Sequence, residues 1–177
     1  MNIVLIGMPG SGKSTVGVVL AKTLNMSFCD TDILIQENDG RKLQQIIDTD
    51  GIDTFLKIEE ESIINKKIED CVVATGGSVV LSKNAVEHFK KDSILVYLKV
   101  SYYDIKKRIH NLNTRGIAFK KGQTLKDIYD ERCPLYEKYA DITVKSGRGK
   151  IIDVVERIKS KLDFSWHFFH IMISLLL

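Results

Sequence analysis

Cysteine, proline and tryptophan are scarce in this chain: three, two and one among 177 residues. Cys29, Cys71 and Cys133 are odd in number and lack metal-ligand spacing, which argues against a disulfide framework and against a zinc site. Two of them sit in apolar, strand-like runs, so reduced and mostly buried thiols are expected, as in the cytoplasm. Only Pro9 and Pro134 occur, and neither is read as interrupting a helix interior. No linker rich in Gly, Pro or Ser divides the chain, and nothing repeats internally, so one domain is expected. A strong excess of one charge is also lacking. The net charge of +3 excludes an argument for nucleic acid, but it fits a locally basic pocket for an anionic ligand.

Long hydrophobic runs are missing as well, with one exception. Met1–Ile6 is apolar, yet Gly7-Met8-Pro9-Gly10 follows at once, so it reads as a buried strand rather than a leader. Phe164–Leu177 is nearly all apolar and aromatic, but it is shorter than the roughly 20 residues that span a bilayer. A docked helix, a membrane-surface anchor and a non-native extension all fit it. We favour a non-native or poorly integrated tail over residues 163–177, because the helix before it already looks complete. A membrane partner is not expected, and the chain is expected to be a monomer.

What is present is a core-forming 44% of hydrophobic residues and 28% of charged ones, typical of a soluble protein. They alternate between short apolar strands and amphipathic helices. Strands are expected at Asn2–Ile6, Ser27–Cys29, Cys71–Ala74, Ser93–Leu98 and Ile142–Val144. Helices are expected at Lys13–Leu24, 31–38, 42–48, 51–68, Tyr102–Asn111, Thr124–Tyr139 and Lys150–Leu162. Such alternation implies an α/β fold, a parallel sheet covered on both faces, over residues 1–162.

Between the first strand and the first helix stands Gly7-Met8-Pro9-Gly10-Ser11-Gly12-Lys13-Ser14-Thr15. It satisfies G-x-x-x-x-G-K-[ST] in full and in the right context. Gly10 and Gly12 let the backbone turn its N–H groups inward, and the helix starting near Lys13 adds the positive end of its dipole. Lys13 supplies a cation to the β- and γ-phosphates. Ser14 offers a hydroxyl to Mg²⁺, a cation that prefers hard oxygen ligands. The cradle implies a nucleotide triphosphate, with Gly10, Ser11, Gly12, Lys13, Ser14 and Thr15 as its contacts.

Four further motifs follow in order. They are Phe28-Cys29-Asp30-Thr31-Asp32 after the second strand, Ala74-Thr75-Gly76-Gly77-Ser78 after the third, Arg108 with Arg115-Gly116-Ile117, and Arg132-Cys133-Pro134-Leu135-Tyr136. With the cradle, they make residues 1–160 resemble the shikimate kinases, within the wider group of nucleoside-monophosphate-kinase-like enzymes. The resemblance implies a three-layer α/β/α fold with a five-stranded parallel sheet in the order 2-3-1-4-5. It implies phosphorylation of shikimate by ATP to 3-phosphoshikimate, a step of chorismate and aromatic amino-acid synthesis, with Mg²⁺ as cofactor.

The resemblance also assigns roles. Asp30 would face the Mg²⁺ shell with Ser14. Asp32 would bind ring hydroxyls and accept the proton of the attacking one. Gly76 and Gly77 would contact the substrate, and Arg132 would hold its carboxylate. Arg108 would stack on adenine. Arg115, in a lid over about 112–124, would neutralise the transferring phosphoryl group. Arg148, in Ser146-Gly147-Arg148-Gly149, would lie in the adenine loop. Plainer alternatives stand beside these: Asp30 as a helix cap, the glycines as a tight turn, Arg108 on a solvated helix face, and Arg132 paired with Glu131 or Glu137.

The chain departs from the family's pattern in three places. Ser78 stands where a third glycine is usual, and Gly116 stands where a proline follows the lid arginine. In Phe55-Leu56-Lys57-Ile58-Glu59, Leu56 occupies the position of a second arginine clamp. Lys57 is adjacent, but one step along a helix turns a side chain by about 100°. A kinase for another small hydroxylated acid or sugar, such as gluconate, is therefore the first alternative. A nucleotide-binding module without catalysis is the second.

Overall fold

The computed structural model describes residues 1–109, 116–147 and 149–176, with side chains as far as Asp163. Strand β1 (Asn2–Ile6) is buried along its whole length, as a β-branched apolar run between two covered faces should be. It lies at the centre of a five-stranded parallel sheet with β2 (Ser27–Asp30), β3 (Cys71–Ala74), β4 (Ser93–Lys99) and β5 (Ile142–Lys145), in the order β2-β3-β1-β4-β5. Val4 pairs with Val73 on one side and with Leu95 on the other. The expected order and class are those observed.

Successive β1 side chains enter different cores, because side chains alternate across a strand. Ile3 and Leu5 pack with Val16 and Leu20 of α1 (Lys13–Leu24) and with Val154, Val155, Ile158 and Leu162 of α8 (Ile151–Leu176). Val4 and Ile6 pack on the opposite face, with Phe89 of α5 (Lys83–Lys90), Ile105 of α6 (Tyr102–Arg108) and Tyr136 of α7 (Leu125–Tyr139). A third cluster joins Ile35 of α2 (Thr31–Asp39), Leu43 and Ile46 of α3 (Leu43–Asp50) and Phe55 of α4 (Ile52–Ile64). This satellite walls one side of the site.

Four features differ from the sequence reading. Helix α5 was not expected; its start is set by Ser82, whose Oγ accepts from the Ala85 amide at 3.0 Å. Helix α4 stops at Ile64, short of residue 68, with Asn65 as its cap. Pro134 does lie inside a helix, α7. Its missing N–H removes one intrahelical bond, yet Tyr136 and Arg132 on either side of it are buried and hold the helix to the core. Finally, α8 does not end at Leu162 but continues as one helix to Leu176. No Gly or Pro stands between Lys150 and Leu177 to stop it. Among the described residues, no helix is long and apolar enough to cross a membrane.

Candidate active site

The carboxyl ends of β1, β2 and β3 open into a cavity of about 480 Å³. Its lining draws together residues from distant parts of the chain: Lys13, Asp32, Gly76, Gly77, Arg108 and Arg132. Open parallel sheets place ligands at this edge, outside the strand ends.

The phosphate cradle is the loop between β1 and α1. Gly12 caps α1 with φ 97°, a left-handed conformation that favours glycine, and no side chain caps the helix. The first amides of α1 therefore remain available beside Ser14 and Thr15, which border the cavity. Lys13 is almost fully buried, and its Nζ donates to the carbonyls of Gly7 at 2.7 Å and Met8 at 3.0 Å. Burial lowers its pKa to about 8, and the nearby carboxylates of Asp32 and Asp30 hold it from falling further.

Asp30 and Asp32 flank the buried Thr31 at the start of α2. The Oδ1 atom of Asp30 accepts from the Asp32 amide at 3.0 Å, so the helix-cap role stated as an alternative is present. It also aims the first turn of α2, and thus Asp32, at the cavity. Burial raises the pKa of Asp32 to about 6, Asp30 adds to the rise, and Lys13 opposes it. Thr31 turns the other way: its Oγ1 accepts from the Gly76 amide at 3.0 Å, tying α2 to the loop after β3.

That loop requires its glycines for space. A methyl group at Gly76 would lie 2.3 Å from Glu59 Oε1 and 3.0 Å from Asp32 Oδ1. One at Gly77 would lie 2.6 Å from Cδ of Pro9 in the cradle. The two loops are thus packed backbone against ring, with no room for a side chain between them.

Arg132, on α7, is 1% exposed. Its Nη2 donates to the Ala118 carbonyl, while Nε and Nη1 have no partner. No pairing with Glu131 or Glu137 satisfies this guanidinium. A buried fork with two unused donors facing a cavity is built for an anionic group. Arg108 likewise is not on a solvated face: its guanidinium donates to the Gly10 carbonyl at 3.0 Å and to the Gly147 carbonyl at 2.5 Å. It borders both the main cavity and a second one of about 230 Å³, which Thr15, Val16, Ser146 and Gly149 also line. Arg115 and Arg148 lie outside the described residues. Gly116, just past Arg115, donates its N–H to Gln44 Oε1 of α3 at 3.1 Å.

Several residues shape the site that the motif reading did not assign. Glu59 is 2% exposed, and its pKa is raised to about 7 by burial, with Asp32 contributing. Thr31, Phe55, Ser78 and Tyr136 surround the same loop. All five stand inside motif segments of the sequence, Thr31 between the two aspartates, Phe55 and Glu59 at the ends of Phe55-Leu56-Lys57-Ile58-Glu59, Ser78 after the glycines and Tyr136 after Arg132, but their burial gave no local sign of a role. Leu56 packs against the α2–α3–α4 cluster, and Lys57 is exposed and does not border the cavity. No second basic side chain from α4 thus meets Arg132.

A phosphate-cradle motif, a buried arginine with unused donors and a carboxylate in one cavity define a P-loop small-molecule kinase. The sequence profile described as "Shikimate kinase" matches residues 9–163. The shikimate kinase of Sulfurihydrogenibium sp. is 35% identical over 91% of this chain and 97% of its own length. That of Haemophilus influenzae is 36% identical over 92% of each. The solved shikimate kinase of Aquifex aeolicus superposes with a TM-score of 0.79 at 31% identity, covering 92% of this chain and 96% of that one. Shikimate kinase from Acinetobacter baumannii, in complex with shikimate, superposes at 0.80 with 28% identity, covering 93% of both chains. The chain belongs to the shikimate kinase family.

Proposed function

We propose that this protein transfers the γ-phosphoryl group of ATP to a ring hydroxyl of shikimate, releasing ADP and 3-phosphoshikimate. The observation that carries the acceptor is the buried Arg132, with two unpartnered donors in the same cavity as Asp32 and the cradle. A carboxylate on the acceptor satisfies that fork, and Asp32 then meets the hydroxyls.

The acceptor oxygen bonds to the γ-phosphorus as the bond from that phosphorus to the ADP oxygen breaks. Asp32 orients the hydroxyl and takes its proton; a carboxyl with a pKa of about 6 suits that task near neutrality. Lys13 and Arg115 stabilise charge on the transferring group, which is most of what phosphoryl transfer needs. Gly10, Ser11, Gly12, Ser14 and Thr15 hold the phosphates. Arg108, which borders the second cavity, and Arg148 act as the nucleotide-base contacts, and Gly76 and Gly77 line the acceptor. Closure over about 112–124 excludes water.

Among the described residues, no cluster of His, Cys, Asp or Glu could hold a metal alone. The Ser14 hydroxyl and Asp30 carboxylate are hard oxygen donors, and this sparse set fits Mg²⁺, which keeps waters and binds substrate phosphates. Bound there, Mg²⁺ would neutralise phosphate charge. The expected setting is the cytoplasm, with residues 1–162 as one kinase domain acting as a monomer. The free thiols of Cys29, Cys71 and Cys133 suit that setting.

Leu56 favours one second reading, a hydroxylated acid or sugar other than shikimate. ADP release measured with shikimate, quinate, gluconate and nucleoside monophosphates separates them. Turnover with shikimate well above the others is expected. Robust turnover of another acceptor, with none of shikimate, overturns the assignment.

A further inference from the structure

Gly116, Ile117 and Ala118 form one wall of the cavity. Ile117 and Ala118 are buried, the first in the core that contains Val4 and Tyr136, the second with Ile35, Leu43 and Phe55. The Ala118 carbonyl accepts from Arg132 Nη2, which leaves Nε and Nη1 as the unused donors. A guanidinium is planar and rigid, so the place of that carbonyl helps to set the plane in which the two unused donors lie.

The wall is tied to α3. Gly116 has φ 61°, a left-handed conformation, and a Cβ on it would lie 2.5 Å from Leu43 Cβ. Its N–H donates to Gln44 Oε1 at 3.1 Å, and Gln44 Nε2 donates to Asp48 Oδ1, one turn along α3, at 2.8 Å. Only one orientation of the Gln44 amide satisfies both partners, because the carboxylate needs its NH₂ and the backbone N–H needs its oxygen. Asp48 thus holds the amide, and the amide holds the wall. Proline, which the family's pattern has at position 116, carries no N–H and could not make this bond.

We propose that Gln44 is a positioning residue for acceptor binding: it fixes the backbone over 116–118 and, through the Ala118 carbonyl, the direction of the Arg132 fork. Gln44 does not border the cavity, so it acts through Arg132 and not by contact. The inference rests on the shikimate reading of the cavity.

The experiment compares the full chain with Q44M, Q44E/D48N, R132K and Q44M/R132K in shikimate-dependent ADP release, with thermal unfolding alongside. Q44M keeps the length of the side chain and removes the acceptor. It is expected to raise KM for shikimate about fivefold, with KM for ATP and kcat little changed. Q44E/D48N restores an oxygen for the Gly116 N–H and a donor at position 48 to hold it, and its KM for shikimate returns to within about twofold of the unaltered chain. R132K raises KM by itself, and Q44M adds less than about twofold on top of it, because both act on the same fork. An unchanged KM for shikimate in Q44M overturns the proposal, as does a loss that falls on KM for ATP or on kcat instead. So do a folded Q44E/D48N that binds as poorly as Q44M and a Q44M effect that is undiminished in R132K. Should R132K prove inactive, the Q44M and Q44E/D48N values decide. Should Q44M fail to fold, D48A decides, since it removes only the bond that holds the Gln44 amide: KM for shikimate rises about twofold, and an unchanged value overturns the proposal. Absence of shikimate turnover by the unaltered chain overturns the acceptor reading itself, and this proposal with it.

Discussion

The Tyr136 hydroxyl donates to the carbonyl oxygen of Gly77 at 2.5 Å, joining α7 to the loop after β3. Tyr136 is fully buried and stacks on Tyr97, with ring centroids 5.2 Å apart. It stands one helical turn beyond Arg132, so the residue that holds the glycine loop and the residue with unused donors in the cavity share one face of α7. Tyr136→Phe keeps the ring and removes this one bond. The expected result is a stability loss of about 1 kcal/mol and a higher KM for the acceptor, with KM for ATP unchanged. Equal losses for both substrates would sink the link.

Gly77→Ala tests the packing of the glycine loop on the cradle. The added methyl meets the Pro9 ring, which is part of the backbone and cannot swing aside. Overpacking of this kind costs about 1–3 kcal/mol. Tm should fall by several degrees, and both ATP and acceptor should bind more weakly, because one contact displaces both loops. A loss confined to the acceptor would show that the cradle does not feel it.

Lys13→Ala removes the cation of the cradle. A fall of about 10²–10³ in kcat is expected, the magnitude of losing one preorganised charge-stabilising donor. The fold should survive, since the ammonium bonds only to carbonyls of its own loop. Unchanged phosphoryl transfer would exclude the mechanism.

Glu59 gives a pH signature. Its carboxyl has a pKa of about 7 in the folded chain against an ordinary 4.5, so the folded state holds the proton more tightly than the unfolded one. Its contribution to stability is therefore most favourable below about pH 4.5 and declines as pH rises to about 7. Glu59→Gln removes that decline. Calorimetry should find the Tm of the variant, relative to the unaltered chain, rising by a few degrees between pH 5 and pH 8, since 1 kcal/mol moves Tm by about 2–4 °C at this size. The same difference at both pH values would mean that Glu59 is ionised throughout.

Truncation after Asp163 tests the domain boundary. The described side chains that anchor α8 in the core are Val154, Val155, Ile158 and Leu162, all before the cut. Tm should stay within a few degrees and activity should persist. A large loss of Tm would show that the final segment is docked on the domain.

Local information was legible in the sequence. The cradle, the strand that precedes it and the helix that follows are contiguous, and their periods and glycines are enough to define them. The sheet class follows from alternation of strand and helix, and its order was read from the resemblance and matched by the pairing. Helix α5 was missed because its eight residues give barely two turns of period, though Ser82 marks its start. Pro134 was misjudged because a proline's local preference was outweighed by the burial of Arg132 and Tyr136 beside it.

The amino-acid sequence alone therefore determined the phosphate cradle and the strand and helix that flank it, since these depend on neighbours in the chain. Only the tertiary structure decided which side chains share the cavity with the cradle. The meeting of Asp32 and Glu59 at Gly76, the unpartnered donors of Arg132, and the turning of Leu56 into an apolar cluster all join residues far apart in sequence. Burial and hydrogen-bond satisfaction are properties of the packed chain, and no spacing along it records them.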